Sequence, residues 1–307
     1  MKIILIALLI TSCNTATADD TQFFINAVTS CEPIELEHGT YTVSQSMPEV
    51  DCRIVLNGIG RPTIKLIGDI QFLTIKNRRS SVTNIELVGI STGYNVADGI
   101  LVKDASQARI ENVNFTRLGT ALEFDYAHDF LGLNGLSFDK NNLDFLIDKR
   151  SSSSFTFINS RFTHSLQAIR ITQPVANIAF ISSHFASKGT ESMIYIKSAV
   201  RGGQFSGVRF ENYCTIPCNS LEIIGHSYPA HPAQSILIQG NYFTGNGVKS
   251  HIVIDIADNI SIIDNHILTN PTDYDIEYLS AYPRSPELPY IERNHTDNSL
   301  NRELLLN

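Results

Sequence analysis

Acidic, basic and hydroxyl-bearing side chains recur along this chain roughly every two dozen residues: Lys103, then Glu123 with Asp125, Asp148, Arg170, Tyr195 with Lys197, and Glu222. Gathered in space, these types admit two chemistries. Hydrolysis of a sugar–sugar bond needs an acid with a base or nucleophile, roles Asp125 could share with Asp148 or Glu123. Elimination beside a carboxylate needs a cation that neutralises the carboxylate and a base that removes the neighbouring proton. Arg170 and Lys197 suit the first task, and Tyr195, Lys103 or His128 the second. Glu222 would contact substrate beside them, as would Glu123 and His128 outside their chemical roles. Glu123, Asp125 and Asp148 are also oxygen donors of the kind that hold calcium. The plain alternative is a solvated face whose charges only pair with each other.

A repeat is what would gather them. Ile110-Glu-Asn112-Val-Asn-Phe115 is followed by Leu133-Asn-Gly135-Leu-Ser-Phe138, Phe157-Ile-Asn159-Ser-Arg-Phe162 and Phe180-Ile-Ser182-Ser-His-Phe185. Phe205 to Phe210, Ile238 to Phe243 and Ile262 to Ile267 continue the phrase, and Val82 to Leu87 is a fainter copy. A near-constant period over most of a chain signals stacked supersecondary units. Between the phrases lie alternating segments such as Ile100-Leu-Val102, Leu122-Glu-Phe124, Ile169-Arg-Ile171 and Ile194-Tyr-Ile196. Period-two alternation of branched and aromatic residues predicts strands. The expected architecture is all-β, a single chain coiled about ten times as a parallel solenoid. Inward Ile100 and Val102 leave Leu101 and Lys103 facing out. By the same rule Glu123, Asp125, Arg170, Tyr195, Lys197 and Glu222 face out, on strands about 4.8 Å apart.

Asn112, Asn159 and Asp264 suit bends rather than catalysis, because their short side chains bond nearby backbone. Departures from the period matter more, since insertions in solenoids gather on one face. Ser91 to Asp98 lengthens one turn, and Cys214 to Gln234, which carries His226, Tyr228 and His231, lengthens another.

The ends and the composition set the boundaries. Lys2 and the apolar run Ile3 to Ile10 read as an export signal too short to span a bilayer. Cleavage after Ala18 and a lipoprotein signal ending at Ser12, with Cys13 lipidated, both remain open. Residues 19–298 are expected to form the solenoid, with a capping helix within 19–32, and 299–307 a tail ending in a short helix. Cys31 with Cys52, and Cys214 with Cys218, can form two disulfides in an oxidising compartment. The chain of 307 residues carries a formal charge of −8, which argues against nucleic acid as a partner.

The coil phrase, the Asp-Asp-Thr-Gln opening at Asp19 and the entry strand Gly39-Thr-Tyr41 resemble the right-handed parallel β-helix of the pectate-lyase-like superfamily. The resemblance implies polysaccharide lyases, hydrolases or epimerases, or tailspike-like binders, with an active groove on one sheet. Asn142-Leu-Asp144 and Gly225-His226 echo two polygalacturonase motifs, and Tyr126-Ala-His128-Asp129 keeps the His-Asp of mannuronan epimerases. The expectation is therefore an exported protein that cleaves or remodels a uronic-acid-containing polysaccharide. A non-catalytic glycan-binding or structural β-helix is its rival. The sequence leaves oligomeric state open.

Overall fold

The computed structural model describes residues 19–91, 95–127, 131–187, 189, 191–225, 232–268, 271, 273–279, 289–296 and 303–305. The segment 1–18, and with it Cys13, lies outside the described residues, as do His128, His226, Tyr228 and His231. Among the described residues no helix is long and apolar enough to cross a membrane.

Among the described residues thirty-two strands wind into three parallel sheets of eleven, eleven and ten strands. Each coil after the first gives one strand to each sheet. Arg109–Glu111 lies in the first, Asn114–Thr116 in the second and Thr120–Asp125 in the third; the next coil repeats them as Leu131–Asn134, Ser137–Asp139 and Leu143–Ile147. The chain is thus an all-β, right-handed parallel β-helix of about ten coils, the hand that parallel crossovers take.

In-register pairing of like residues builds the core. Phe115, Phe138, Phe162, Phe185, Phe210 and Phe243 pair strand to strand in the second sheet. Their rings stack at centroid spacings of 4.9, 4.7, 4.3, 5.4 and 4.6 Å. A shorter column, Phe157, Phe180 and Phe205, descends from the first sheet. Every one of these rings is buried. Each contributes roughly 1.5–3 kcal/mol of burial, with about 0.5–1.5 kcal/mol more for each aromatic pair.

Between the first and second sheets the chain bends through one left-handed residue per coil. Asn84, Asn112, Gly135, Asn159, Ser182, Gly207, Gly240 and Asp264 occupy that column with φ of 49–63°. Asn and Asp tolerate this region through local hydrogen bonds, and Gly has no Cβ to clash. The expected bend role of Asn112, Asn159 and Asp264 holds.

The helix Thr21–Ser30 covers the first coil, its Phe24 ring 6.0 Å from Tyr41 and 5.9 Å from Phe72. Cap bonding comes from Asp19, whose Oδ1 accepts the Thr21 amide at 3.0 Å, while Asp20 Oδ2 accepts the Thr42 amide. Both expected disulfides are present, Cys31–Cys52 and Cys214–Cys218. At the other end Glu303–Leu305 is a strand paired with Tyr274–Tyr278, where a short helix was expected. The open edge of the preceding strand offers unpaired backbone groups that a further strand satisfies.

Candidate functional site

The third sheet carries most of the residues singled out above, and it divides them into two groups. On its outer face Leu101, Glu123, Leu146, Arg170, Tyr195 and Glu222 form one in-register column. Arg170, Tyr195 and Glu222 are consecutive members, one strand apart, so their Cα atoms follow at about 4.8 Å. Lys197 shares a strand with Tyr195 and stands exposed at its far end.

The lower coils hold the second group, and ion pairs engage most of it. Lys103 Nζ lies 3.1 Å from Glu49 Oε1. Glu123 receives Lys149 at 2.6 Å. Asp125 is only 7% exposed and is held by Arg150 at 2.6 Å. The same guanidinium reaches Asp104 at 3.1 Å and lies 5.0 Å over the Tyr126 ring. Burial pushes the Glu123 carboxyl up despite the opposing pull of Lys149. Asp148 is exposed just beyond its strand, and His128 lies outside the described residues. Glu123, Asp125 and Asp148 are the donors considered for calcium, and the first two carry cations instead. Among the described residues no three such side chains converge as a metal cluster.

Around Arg170, Tyr195 and Glu222 opens a cavity of about 380 Å³, walled also by Gln167, Glu191, Ser192, Pro217, Cys218 and Asn219. A second cavity, of about 370 Å³, shares Gln167, Arg170 and Glu191 with the first and continues past Leu166, Leu143, Thr120 and Asp98 to Asn95 and Val96. Together they make one groove along the edge where the second sheet turns into the third.

The two insertions build its walls. Asn95, Val96 and Asp98 come from the lengthened turn near Ser91. Pro217, Cys218 and Asn219 come from the disulfide-closed bulge, where strand Arg209–Cys218 runs Tyr213 to Cys218 against only Asn246 to Val248. Gly245 lets the partner strand pass beneath this bulge: at φ +145° a Cβ there would lie 1.7 Å from the Asn212 carbonyl oxygen.

Hydrogen bonding fixes the carboxylate of the column. Glu222 Oε2 accepts Ser192 Oγ at 2.6 Å and Asn219 Nδ2 at 2.9 Å. Asn219 is itself anchored, its carbonyl oxygen taking Asn212 Nδ2 at 3.1 Å and its Oδ1 the Ser250 amide at 3.1 Å. Burial first, then the Glu222 charge, raises the Tyr195 hydroxyl, while Arg170 pulls it down. Tyr195 therefore stays protonated at neutral pH. Burial also raises the Asp98 carboxyl, opposed by the Thr120 amide bond. Among the described residues Arg170 has no ion-pair partner, whereas Lys76, Lys103, Lys149 and Arg150 on the same sheet or its following turn all have one.

Asp144 belongs to no site. It is fully buried, with Oδ1 accepting Asn141 Nδ2 at 2.8 Å and Ser165 Oγ at 2.6 Å. Its resemblance to a hydrolase motif is a corner hydrogen-bond cluster. Glu191, Ser192 and Asn219 escaped sequence reading because they sit at turns, off the alternating strands, and Gln167 because it opens the strand Gln167–Ile171 ahead of its alternating Ile169-Arg-Ile171. The insertions were the signal that pointed toward them.

No protein-family model matches the chain, and no curated protein matches it by sequence. Among solved structures it is similar to the A-module of the mannuronan C-5 epimerase AlgE4 of Azotobacter vinelandii. There the TM-score is 0.55 and identity 14%, over 94% of each chain. It is also similar to PfbA, a surface adhesin of Streptococcus pneumoniae, with TM-score 0.47 and identity 9% over 91% of this chain and 86% of that one. The catalytic domain of a GH87 alpha-1,3-glucanase gives TM-score 0.46 and identity 13% over 97% of this chain and 70% of that one. At such identities the likeness concerns the fold: this chain is a right-handed parallel β-helix.

Proposed function

We propose that this chain is an exported protein that binds and cleaves or remodels a uronic-acid-containing polysaccharide in the groove beside the third sheet. One observation carries the reading: an unpaired guanidinium, a protonated phenol and a fixed carboxylate stand in register as Arg170, Tyr195 and Glu222. Arg170 neutralises the sugar carboxylate, which acidifies the proton on the adjacent carbon. Glu222, or Glu191 across the groove, takes that proton. Tyr195 gives its own proton to the departing glycosidic oxygen, so a carbon–oxygen bond breaks as a carbon–carbon double bond forms. Return of a proton to the opposite face of the same carbon, without bond cleavage, gives epimerisation instead.

The role of Tyr195 is thus acid, because its surroundings raise its hydroxyl. Asp125, Asp148, Glu123 and Lys103 support the lower coils in this reading, and Lys197 contacts substrate beyond Tyr195. The fold shared with a mannuronan epimerase module supports a carbohydrate role. Two disulfides support export.

Incubation with a panel of uronic-acid polymers tests the proposal. Products absorbing in the near ultraviolet indicate elimination, and exchange of solvent hydrogen into the polymer without cleavage indicates epimerisation. New reducing ends without that absorbance would mean hydrolysis. Binding without product would leave a glycan-binding protein. Failure of Arg170→Ala to weaken binding or turnover would remove the site assignment.

A further inference from the structure

The two lobes of the groove differ in what they leave free. In the first lobe Gln167, Ser192, Asn219 and Glu222 bond to one another or to backbone, and Arg170, Tyr195 and Glu191 line the space beside them. In the other lobe the polar groups largely answer each other. Asn95 Nδ2 donates to the Lys140 carbonyl at 2.7 Å, Asn142 Nδ2 donates to the Asn95 carbonyl at 2.9 Å, and Asp98 Oδ1 accepts the Thr120 amide at 2.6 Å. What this lobe adds, beside the shared Arg170 and Glu191, is branched aliphatic side chains that the first lobe lacks. Leu166 is 55% exposed and Val96 41% exposed, and half-buried Leu143 lines the same cavity. One exposed leucine needs no explanation, but three aliphatic side chains lining one cavity leave apolar surface that water wets poorly.

Resting on the groove reading above, we infer that this lobe seats a methyl-bearing substituent on the sugar next to the one whose carboxylate Arg170 holds. The substrate is then a polysaccharide in which a uronic acid adjoins a sugar carrying an O-acetyl group or a 6-deoxy methyl. Arg170 and Glu191 line both lobes, so the two sugars meet at them, and the chain runs along the solenoid axis. Unesterified, fully hydroxylated polymers fill the acidic-sugar lobe equally well but leave the aliphatic wall wet.

Affinity of the full chain for three probes tests this: a chemically O-acetylated uronic-acid polymer, the same polymer after alkaline removal of the acetyls, and a polymer alternating uronic acid with a 6-deoxy sugar. Each seated methyl is expected to tighten binding about four-fold. The acetylated or the 6-deoxy probe should therefore exceed the de-esterified one by that factor, and whichever does so names the source of the methyl. Leu166→Ser, at an exposed position that does not hold the core, should bring that ratio to one. Arg170→Ala should weaken all three probes alike and keep the ratio. Equal affinity for all three, or a ratio unchanged in Leu166→Ser, overturns this inference and leaves the groove reading intact. Absence of binding to any probe overturns both.

Discussion

Arg170, Tyr195 and Glu222 are proposed to do different work because each has a different neighbourhood. In the proposed reaction Arg170 would supply its charge and Tyr195 its proton, and the carboxylate of Glu222 is oriented by Ser192 and Asn219. Tyr195→Phe keeps the ring and removes the proton, so turnover should fall at least about 100-fold while glycan affinity stays within a few-fold. Equal loss of binding and turnover would show the hydroxyl to be a ligand contact only. Asp144 shows the opposite fate of a carboxyl. Its complete burial raises it to about 8, against the hydrogen bonds from Ser165 and Asn141. Between about pH 4 and that value the unfolded chain has released this proton and the folded chain has not. Stability therefore falls as pH rises, by about 1.4 kcal/mol per unit, and levels off above the folded value. Asp144→Asn can still accept both bonds at its amide oxygen and cannot ionise. The variant should match the parent near pH 4 and exceed it increasingly toward pH 8, in denaturant melts at a series of pH values. A constant difference across that range would mean that Asp144 is ionised in the fold.

At the scale of strands and turns, the two disulfides should separate in their effects. Cys31–Cys52 closes 21 residues and Cys214–Cys218 closes 4. Chain entropy makes the first worth about 3 kcal/mol and the second about 2 kcal/mol. The small loop also walls the groove and leads into Asn219, which holds Glu222. Cys31→Ser with Cys52→Ser should lower the melting temperature and spare glycan affinity; Cys214→Ser with Cys218→Ser should weaken affinity more than it lowers stability. The reverse ranking would make the bulge a bystander. These elements also mark how far the sequence could be read. Strands with their inward and outward faces followed from alternation, because Ile169-Arg-Ile171 and its counterparts can pack only one way. Register followed from the Phe phrase, because a slip of one residue would turn every Phe outward. Ion pairing did not follow. Glu49, Lys149 and Arg150 sit on turns whose paths no period fixes, and they occupy Lys103, Glu123 and Asp125. Glu191 was missed for the same reason, and the insertions that frame it were legible only as irregularities.

For the molecule as a whole, each coil touches chiefly the coil above and the coil below, so stability should behave as a sum of neighbour interfaces rather than as one core. The middle of the solenoid holds the stacked Phe115 to Phe210 rings, whereas beyond Phe243 the column continues with the smaller Ile267. Native-state hydrogen exchange should accordingly be slowest in strands such as Ser137–Asp139, Arg161–Thr163 and His184–Ser187, and faster toward Tyr290–Glu292. Phe162→Ala removes a ring sandwiched between Phe138 and Phe185 and should cost about 3–5 kcal/mol. In a nearest-neighbour solenoid that cost is felt where the ring was. Exchange should quicken most in the strands of Phe138 and Phe185, less in that of Phe210, and little in the helix Thr21–Ser30. A uniform acceleration from end to end would mean that the coils unfold as a single unit, and a groove spread over six of them could then not loosen at one end while gripping at the other.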